Sequence, residues 1–476
     1  MKNLFKLTAL LSALGTALPV HSAPYATPDT WGGDLATRPR LTGDWGGVRD
    51  DLAKKGVVLD VDAYWWPQKI TGGGKNTSGG NWGNLNIELN VDTGKAGLWP
   101  GGFFKVKTVT GFGHYIGKDI GAILPANAAW SLPASGEEGT GLLEYSFLQF
   151  LSPKLGVMVG KMDFSVTPGL FTGDYRTQFA NLGLKVPLAA ALFPISTFGA
   201  SVIYVPSPDV NLSVMLLDPS GTIKNDDLSD AFDDGVFAVA TDEVKTNLFG
   251  FTGNQGLLLY WSNKERTSLV QDPSNIACLL LNEKYPRLGD LFELLGGVAP
   301  PCLVDPAALN KENDTWTAVY SAEQFLWQPS GDPKRGIGVF YSAGVSDGRA
   351  NPIKYSYTLG LVGKGVVPGR ANDDFGIGWS RAEFSDNFVP SLRNTFDLGL
   401  NHEDAVEMYY KAAVTPWLDV SPSLQIINSG LNKVLDSIMI ATNSFVPAES
   451  TVDLTGTITV SVATGVSFAS DNGTVQ

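Results

Sequence analysis

The sequence predicts an all-β fold: a transmembrane antiparallel β-barrel of about sixteen strands, with a short N-terminal helix and long outward loops. Three observations carry that reading. Apolar and polar residues alternate strictly over many short segments. No stretch beyond the N-terminus reads as a membrane helix. The composition is rich in glycine (54 residues) and aromatics (11%) but only 17% charged, where soluble domains carry roughly a quarter. Many strands, tight turns and a surface partly turned away from water fit that balance.

The chain opens with Lys2 and Lys6, then the uncharged apolar run Leu7 to Val20, then small residues. This is the pattern of a secretory signal peptide over residues 1–23, cleaved after Ser22 or Ala23. The run is shorter than the roughly 20 residues of a spanning helix. Residues 24–56 form an N-terminal periplasmic segment. In it Leu41, Trp45, Val48 and Leu52 recur at helical spacing and Gly56 supplies a stop. This helix is expected on the periplasmic side, at the mouth of the barrel.

The barrel itself is expected over residues 57–468. Leu85-Asn86-Ile87-Glu88-Leu89-Asn90-Val91-Asp92 places aliphatics on one strand face and polar groups on the other. Side chains flip at each residue, so the segment lies between an apolar and a watery environment. Leu59 to Trp65, Phe104 to Lys107, Tyr355 to Leu359 and Thr457 to Val462 repeat the pattern. Candidate strands begin near Val57, Asn84, Phe103, Leu142, Lys154, Gly199, Asn211, Phe237, Gly256, Asp314, Arg335, Lys354, Asp374, Ala405, Trp417, Met439 and Gly456. That is about seventeen, against the even number expected of a bacterial barrel. Between them fall turn signals such as Ser152-Pro153, Ser207-Pro208-Asp209 and Pro416.

The uncharged stretch Val186 to Pro208 is broken by Pro187, Pro194 and Pro206. Each removes a helical hydrogen bond, so it reads as a loop followed by a strand. Residues 218–234 and 264–314 are polar or mixed and read as outward loops. Aromatics gather at strand ends: Tyr64, Trp65, Trp66; Tyr260, Trp261; Tyr409, Tyr410; Trp417. They are interfacial girdles in a barrel, or core aromatics in a soluble β-fold.

The chemistry classes narrow as well. Lys+Arg 34 against Asp+Glu 48 gives a net charge of −14, which disfavours a nucleic-acid partner. Cys278 and Cys302 are the two cysteines. In an oxidising compartment they pair as a disulfide stiffening an exposed loop, or stay as two buried thiols. Three histidines with two cysteines do not supply the usual zinc ligand sets, and neither metal nor cofactor is expected. His114 and His402 are the only histidines past residue 23, and no Gly-x-Ser-x-Gly elbow or phosphate loop occurs. The residues alone leave open a secreted β-rich glycoside hydrolase working through paired carboxylates, or a lectin.

Particular words in the chain then point to a family. Leu41-Thr42-Gly43-Asp44-Trp45-Gly46-Gly47-Val48-Arg49 resembles the opening motif of the OprB-type carbohydrate-selective porins. Val159-Gly160-Lys161-Met162-Asp163, Lys364 to Arg370 with Asp373 to Gly378, and Glu407 to Lys411 with Val414 to Leu418 and Pro422 to Gln425 resemble further words. Their order spans nearly the whole mature chain. The resemblance implies a sixteen-stranded barrel in the outer membrane of a Gram-negative bacterium. Inward loops would narrow its pore, and glucose-like monosaccharides and related small sugars would diffuse passively through it. Partners are then small sugars, outer-membrane lipid and the barrel-insertion machinery, with monomer and homotrimer both open. A channel for acids or aromatic solutes is the rival within the class. Family members usually end on an aromatic residue; here Phe468 takes that position, and Ala469 to Gln476 extend past it as a tail.

A sugar offers hydroxyls and flat C–H patches, so a selective pore needs carboxylates, bases and aromatic faces at its narrow point, binding weakly enough to release. Strand parity nominates Asp60, Asp62, Glu88, Lys105 and Lys107. The family words add Lys161, Asp163, Arg370, Asp373 and Glu407, and the loop Phe164 to Gln178 adds Arg176. Glu407 and Arg370 have a structural alternative, satisfying loop backbone in the lumen. Trp65 and Trp66 are strand neighbours, so one faces lipid and the other the lumen; Trp66 is nominated as the lining residue. Trp82 and Trp130 read as loop tryptophans.

Overall fold

The computed structural model describes residues 24–25, 27–74, 76–133, 137–166, 169–224, 228–271, 309–330, 332–387, 401–430, 433–434, 452–453 and 457–466. Residues 1–23, Cys278, Cys302, the strand expected near Met439, Phe468 and the tail 469–476 lie outside the described residues.

Sixteen strands among the described residues form one closed antiparallel barrel. They are β1 (Val57–Gly72), β2 (Gly79–Asp92), β3 (Gly102–His114), β4 (Gly139–Ser152), β5 (Leu155–Asp163), β6 (Ser196–Ser207), β7 (Val210–Leu217) and β8 (Phe237–Leu248). They continue as β9 (Phe251–Ser262), β10 (Thr315–Trp327), β11 (Gly336–Ser346), β12 (Ile353–Lys364), β13 (Asp374–Phe384), β14 (His402–Thr415), β15 (Leu418–Asn428) and β16 (Thr457–Val466). β1 pairs with β16 through Ala63↔Val466 and its neighbours, which closes the ring and leaves no edge. β2 and β9 begin earlier than their alternation shows, at Gly79 and Phe251, because glycines interrupt the apolar pattern there.

Parity holds along the wall. In β1, Asp60, Asp62, Tyr64 and Trp66 are buried inside, while Trp65 is 43% exposed outside. In β2, Asn86 and Asn90 are buried and Ile87 and Leu89 exposed. Large exposed apolar side chains such as Val106, Val159, Val202, Val214, Leu359 and Ile377 make the outer belt. The aromatic clusters split: Trp65 and Trp261 face outward, but Tyr64, Trp66, Tyr260 and Tyr409 are buried inside. Trp417 sits in the turn after β14, and its Nε1 donates to the Leu35 carbonyl at 2.7 Å.

The N-terminal helix is shorter than its spacing suggests. Helix α1 covers Val48–Lys54, and residues 41–47 are turns. Trp45, Gly46 and Gly47 take φ of 55°, 67° and 90°, left-handed backbone that glycine adopts cheaply and that a helix cannot include. The segment is fastened to the inner wall by two guanidiniums on one carboxylate. Arg40 Nε lies 3.0 Å and Arg49 Nη2 2.6 Å from Asp60 Oδ1. Arg49 also donates to the Leu59 carbonyl at 2.8 Å and lies 4.9 Å over the Trp31 ring.

Even strand ends meet the next strand through tight turns such as Pro153-Lys154 and Phe249-Gly250, whereas the opposite rim carries the long connections. Two of these turn inward, after β3 and after β5. They meet where Ala128 N–H donates to the Ala180 carbonyl at 2.7 Å and Leu182 N–H to Pro125 at 3.1 Å. β5 leaves the wall at Asp163, and the connection after β7 fills the vacated place. Leu142 N–H donates to the Ile223 carbonyl at 2.9 Å, and the Lys161 ammonium to Thr222. Two-residue ribbons, Arg266–Thr267 with Lys311–Glu312 and Lys433–Val434 with Val452–Asp453, start the longest connections.

Removing the carboxylate that holds the N-terminal segment tests its attachment. Asp60→Ala leaves two buried guanidiniums without their anion, a loss of about 3–5 kcal/mol for a broken buried pair. The expected result is trypsin cleavage at Arg40 and Arg49 in the folded barrel, at sites resistant in the parent chain.

Candidate functional site

The inner faces of β1–β5 and the loop after β5 assemble one charged wall. Lys105 reaches Glu88 at 3.5 Å and Glu144 at 3.2 Å; Lys107 reaches Asp163 at 2.6 Å. Arg176, carried inward by the loop, grips Asp174 through Nε at 2.7 Å and Nη2 at 2.9 Å, and approaches Asp62 at 3.4 Å. Burial pushes the Asp174 carboxyl up, but the Arg176 guanidinium outweighs it and holds the group below the usual carboxylate range. Asn90 and Ser146 donate to Glu88 and Glu144 at 2.8 and 2.7 Å.

Most of this wall is covered. Asp60, Asp62, Lys107, Glu144 and Asp174 are buried, whereas the side chains of Lys105 and Glu88 are 34% and 28% exposed. An aromatic group lies beside them: Tyr64 and Trp66 stack at 5.6 Å, Tyr175 lies 6.0 Å from Trp66, and Arg176 sits 5.8 Å over Tyr64. A cavity of about 620 Å³ opens between the inward loop and the opposite wall, lined among others by Asp163, Tyr175, Lys185, Asn254 and Glu323. Its size falls within the roughly 300–1,000 Å³ of small-molecule sites.

Three wall glutamates hold the inward loops by their backbone. Glu407 on β14 accepts from Ala180 N–H at 3.0 Å and Asn181 N–H at 2.8 Å. Glu403 accepts from Ile123 and Leu124 at 2.8 and 2.9 Å. Glu323 on β10 accepts from Phe171 N–H at 3.1 Å, Thr172 N–H at 2.9 Å, and Leu170 N–H. Gln425 Nε2 adds a bond to the Ala126 carbonyl at 2.9 Å.

The structure thus brings Asp60, Asp62, Glu88, Lys105, Lys107, Asp163 and Arg176 onto one side of the lumen. It places others elsewhere. Glu407 is fully buried under the loop it ties. Lys161 is fully buried at the point where β5 leaves the wall, so its ammonium does not line the pore. Arg370 and Asp373 lie in the tight turn before β13, where Arg370 pairs with Asp373 at 2.8 Å and donates to the Ala413 carbonyl at 3.1 Å. The left-handed Gly369 (φ 75°) reverses the chain there, so the pair locks the turn to β14 and takes no part in the charged wall. Trp82 belongs to β2, buried, with Nε1 on the Ala129 carbonyl at 3.1 Å. Trp130 lies in a short 3-10 helix, Ala128–Ser131, and stacks on Tyr115 at 4.3 Å.

Sequence reasoning passed over Arg40, Glu144, Asp174, Lys185, Glu323 and Glu403. Parity along β4, β10 and β14 turns their three glutamates inward, which is the available signal; the loop residues have none.

Residues 76–445 match the family described as "Carbohydrate-selective porin, OprB family". Porin B of Pseudomonas aeruginosa is 23% identical over 468 residues, covering 90% of this chain and 94% of the relative. The putative porin QuiX of Acinetobacter baylyi is 22% identical over 475 residues, covering 92% and 98%. The high-pH structure of Pseudomonas putida OprB shares the fold with a TM-score of 0.70 at 20% identity, over 91% of this chain and 99% of that one.

Two outcomes test the site. Glu407→Ala strands two buried N–H groups at roughly 1–3 kcal/mol each, so the barrel unfolds at lower temperature and single channels flicker in a bilayer. Lys185 sits in the inward loop, where burial pushes its ammonium down to about 8 against the pull of Asp174 and Asp163. Its folded pKa is below its unfolded one, so the burial penalty is present at low pH and relieved as pH rises past 8. The wall also loses one positive charge over that range. The reversal potential in a salt gradient is expected to move toward cation preference between pH 7 and 9, and Lys185→Met to remove that movement.

Proposed function

The chain belongs to the OprB family of carbohydrate-selective porins of the outer membrane, and from that premise we propose that glucose and related small monosaccharides pass along the Glu88–Lys105 edge of its charged wall. The observation that carries this reading is the pairing of the wall. Carboxylates and bases pair within 3.5 Å, with Lys105 shared between Glu88 and Glu144 and Lys107 on Asp163, and Glu88 and Lys105 keep a face open to water. Glu88 then accepts from sugar hydroxyls while Lys105 donates to them, each charge already engaged by a partner rather than free to hold an ion. Tyr64, Trp66 and Tyr175 stiffen the wall behind Arg176. Contacts through two half-exposed groups are weak, which suits a path that must release its solute. Diffusion down a gradient needs no catalytic group.

The test is conductance of the purified protein in a planar bilayer during glucose titration. Saturable partial block by glucose is expected. Lys105→Ala and Glu88→Gln are each expected to weaken half-block by about tenfold, the loss of one hydrogen bond to a charged group. Open channels indifferent to glucose would overturn the assignment to monosaccharides and leave the barrel intact.

A further inference from the structure

Water in a barrel lumen calls for a polar wall, and the cavity of about 620 Å³ beside the inward loop departs from that. Met215 on β7 and Leu258 on β9 point inward by parity with the buried Leu217 and Tyr260, yet both stay partly exposed. The inward loop adds two partly exposed rings, Phe164 and Phe193, packed edge to face at 5.0 Å. Phe193 is backed by the wall, 5.8 Å from Phe237 and 5.9 Å from Tyr260. All four apolar side chains line the cavity. Strand register places a hollow next to them. Gly256 faces inward between Leu258 and Asn254, with Glu243 on β8 and Ser321 on β10 directly across from it. The wall therefore carries no side chain midway along a stretch of about 14 Å at the usual strand rise. The Glu243 carboxylate borders the hollow and is oriented by Asn254 Nδ2, which donates to its Oε1 at 2.9 Å. On its other side the cavity reaches Asp163 and Tyr175, where the charged wall ends.

A bare sugar gains little from four apolar side chains, and an acid is repelled by Glu243. A flat ring carrying a hydroxyl fits both features. Aromatic rings pack on Phe164 and Phe193 edge to face or offset, and a carboxylate has lone pairs to spare for a hydroxyl after one bond from an amide. We propose that this cavity takes the aromatic aglycone of a monosaccharide glycoside. The ring lies in the Gly256 hollow against Phe164, Phe193, Met215 and Leu258, a phenolic hydroxyl donates to Glu243, and the sugar extends past Asp163 and Tyr175 toward the Glu88–Lys105 edge. The inference rests on that edge as the sugar path and adds a second subsite beside it. The two subsites divide the work: the charged wall holds the hydroxyl-rich end, and the loop with β7–β10 holds the apolar one.

The test is half-block of channel current in a planar bilayer by methyl, phenyl and 4-hydroxyphenyl β-D-glucopyranoside. The parent protein is expected to bind the phenyl glucoside about tenfold more tightly than the methyl one, from the apolar surface covered. The 4-hydroxyphenyl glucoside is expected to gain about tenfold more, from a hydrogen bond to a charged acceptor. Ser321 Oγ lies 3.4 Å from the Gly256 carbonyl, so Ser321→Phe fills the hollow and is expected to abolish both steps. Glu243→Gln is expected to remove most of the second step alone. Heat-modifiable migration shows that each variant has folded. Lys105→Ala is expected to weaken all three glucosides by one common factor, which separates the sugar path from the cavity. Equal half-block by the three glucosides in the parent overturns the inference and leaves the sugar path standing. So does a phenyl preference that survives Ser321→Phe. Block by none of the three overturns the path and this inference together.

Discussion

The structure depends on carboxylates in the wall accepting hydrogen bonds from loop backbone. A sixteen-stranded ring is too wide for its own side chains to fill, so narrowing it requires chain segments inside the lumen. Such segments carry amide groups that lose water and have no strand partner. Glu323, Glu403 and Glu407 supply acceptors at the places where the two inward connections touch the wall. One carboxylate holds two or three N–H groups, so a few residues fix the position of long irregular segments. With the loops fixed, Arg176 is delivered to Asp174 and Asp62, and the charged wall is completed. Without that fastening, the same side chains would sit on a wide and unselective channel.

The charge pattern follows from the same geometry. Lys105 on β3 meets Glu88 on β2 and Glu144 on β4 across one strand spacing, Lys107 reaches Asp163 where β5 leaves the wall, and Asp60 and Asp62 on β1 take their bases from the N-terminal segment and the inward loop. Buried pairs of this kind add little net stability, because desolvation offsets attraction. What they supply is a rigid polar surface with fixed donors and acceptors and little net field. A neutral polyol gains hydrogen bonds from such a surface, whereas an ion gains no more on one side of a pair than it loses on the other. On the proposed path, selectivity for sugars over ions comes from pairing, and weak binding from how few paired groups stay exposed.

The wall was legible in the sequence because period-two alternation is forced by strand geometry. Asp60, Asp62, Glu88, Lys105 and Lys107 could be turned inward by parity alone. The family words were less faithful guides to position. They marked Arg370 and Asp373, which lock a turn, and Lys161, which is buried where β5 departs. Recurrent words mark what the fold needs, and a turn lock is needed as much as a lining residue. The inward loops were illegible because their placement is set by partners far along the chain: Ala180 meets Glu407, and Leu124 meets Glu403. Helical spacing also misled at Leu41 and Trp45, where positive φ at Gly46 and Gly47 overrides it.

A barrel wall has two environments, and each residue reports on the one it faces. Inside, a polar residue is expected and a buried apolar one marks a loop packed against the wall, as Phe325 and Phe340 do beneath Phe171 and Phe179. Outside, an apolar residue is expected, as at Ile87, Val106 and Leu359. A buried apolar side chain on the inner face is therefore one whose surroundings are set by a third body rather than by strand parity, and within the lumen that body is the chain's own loop.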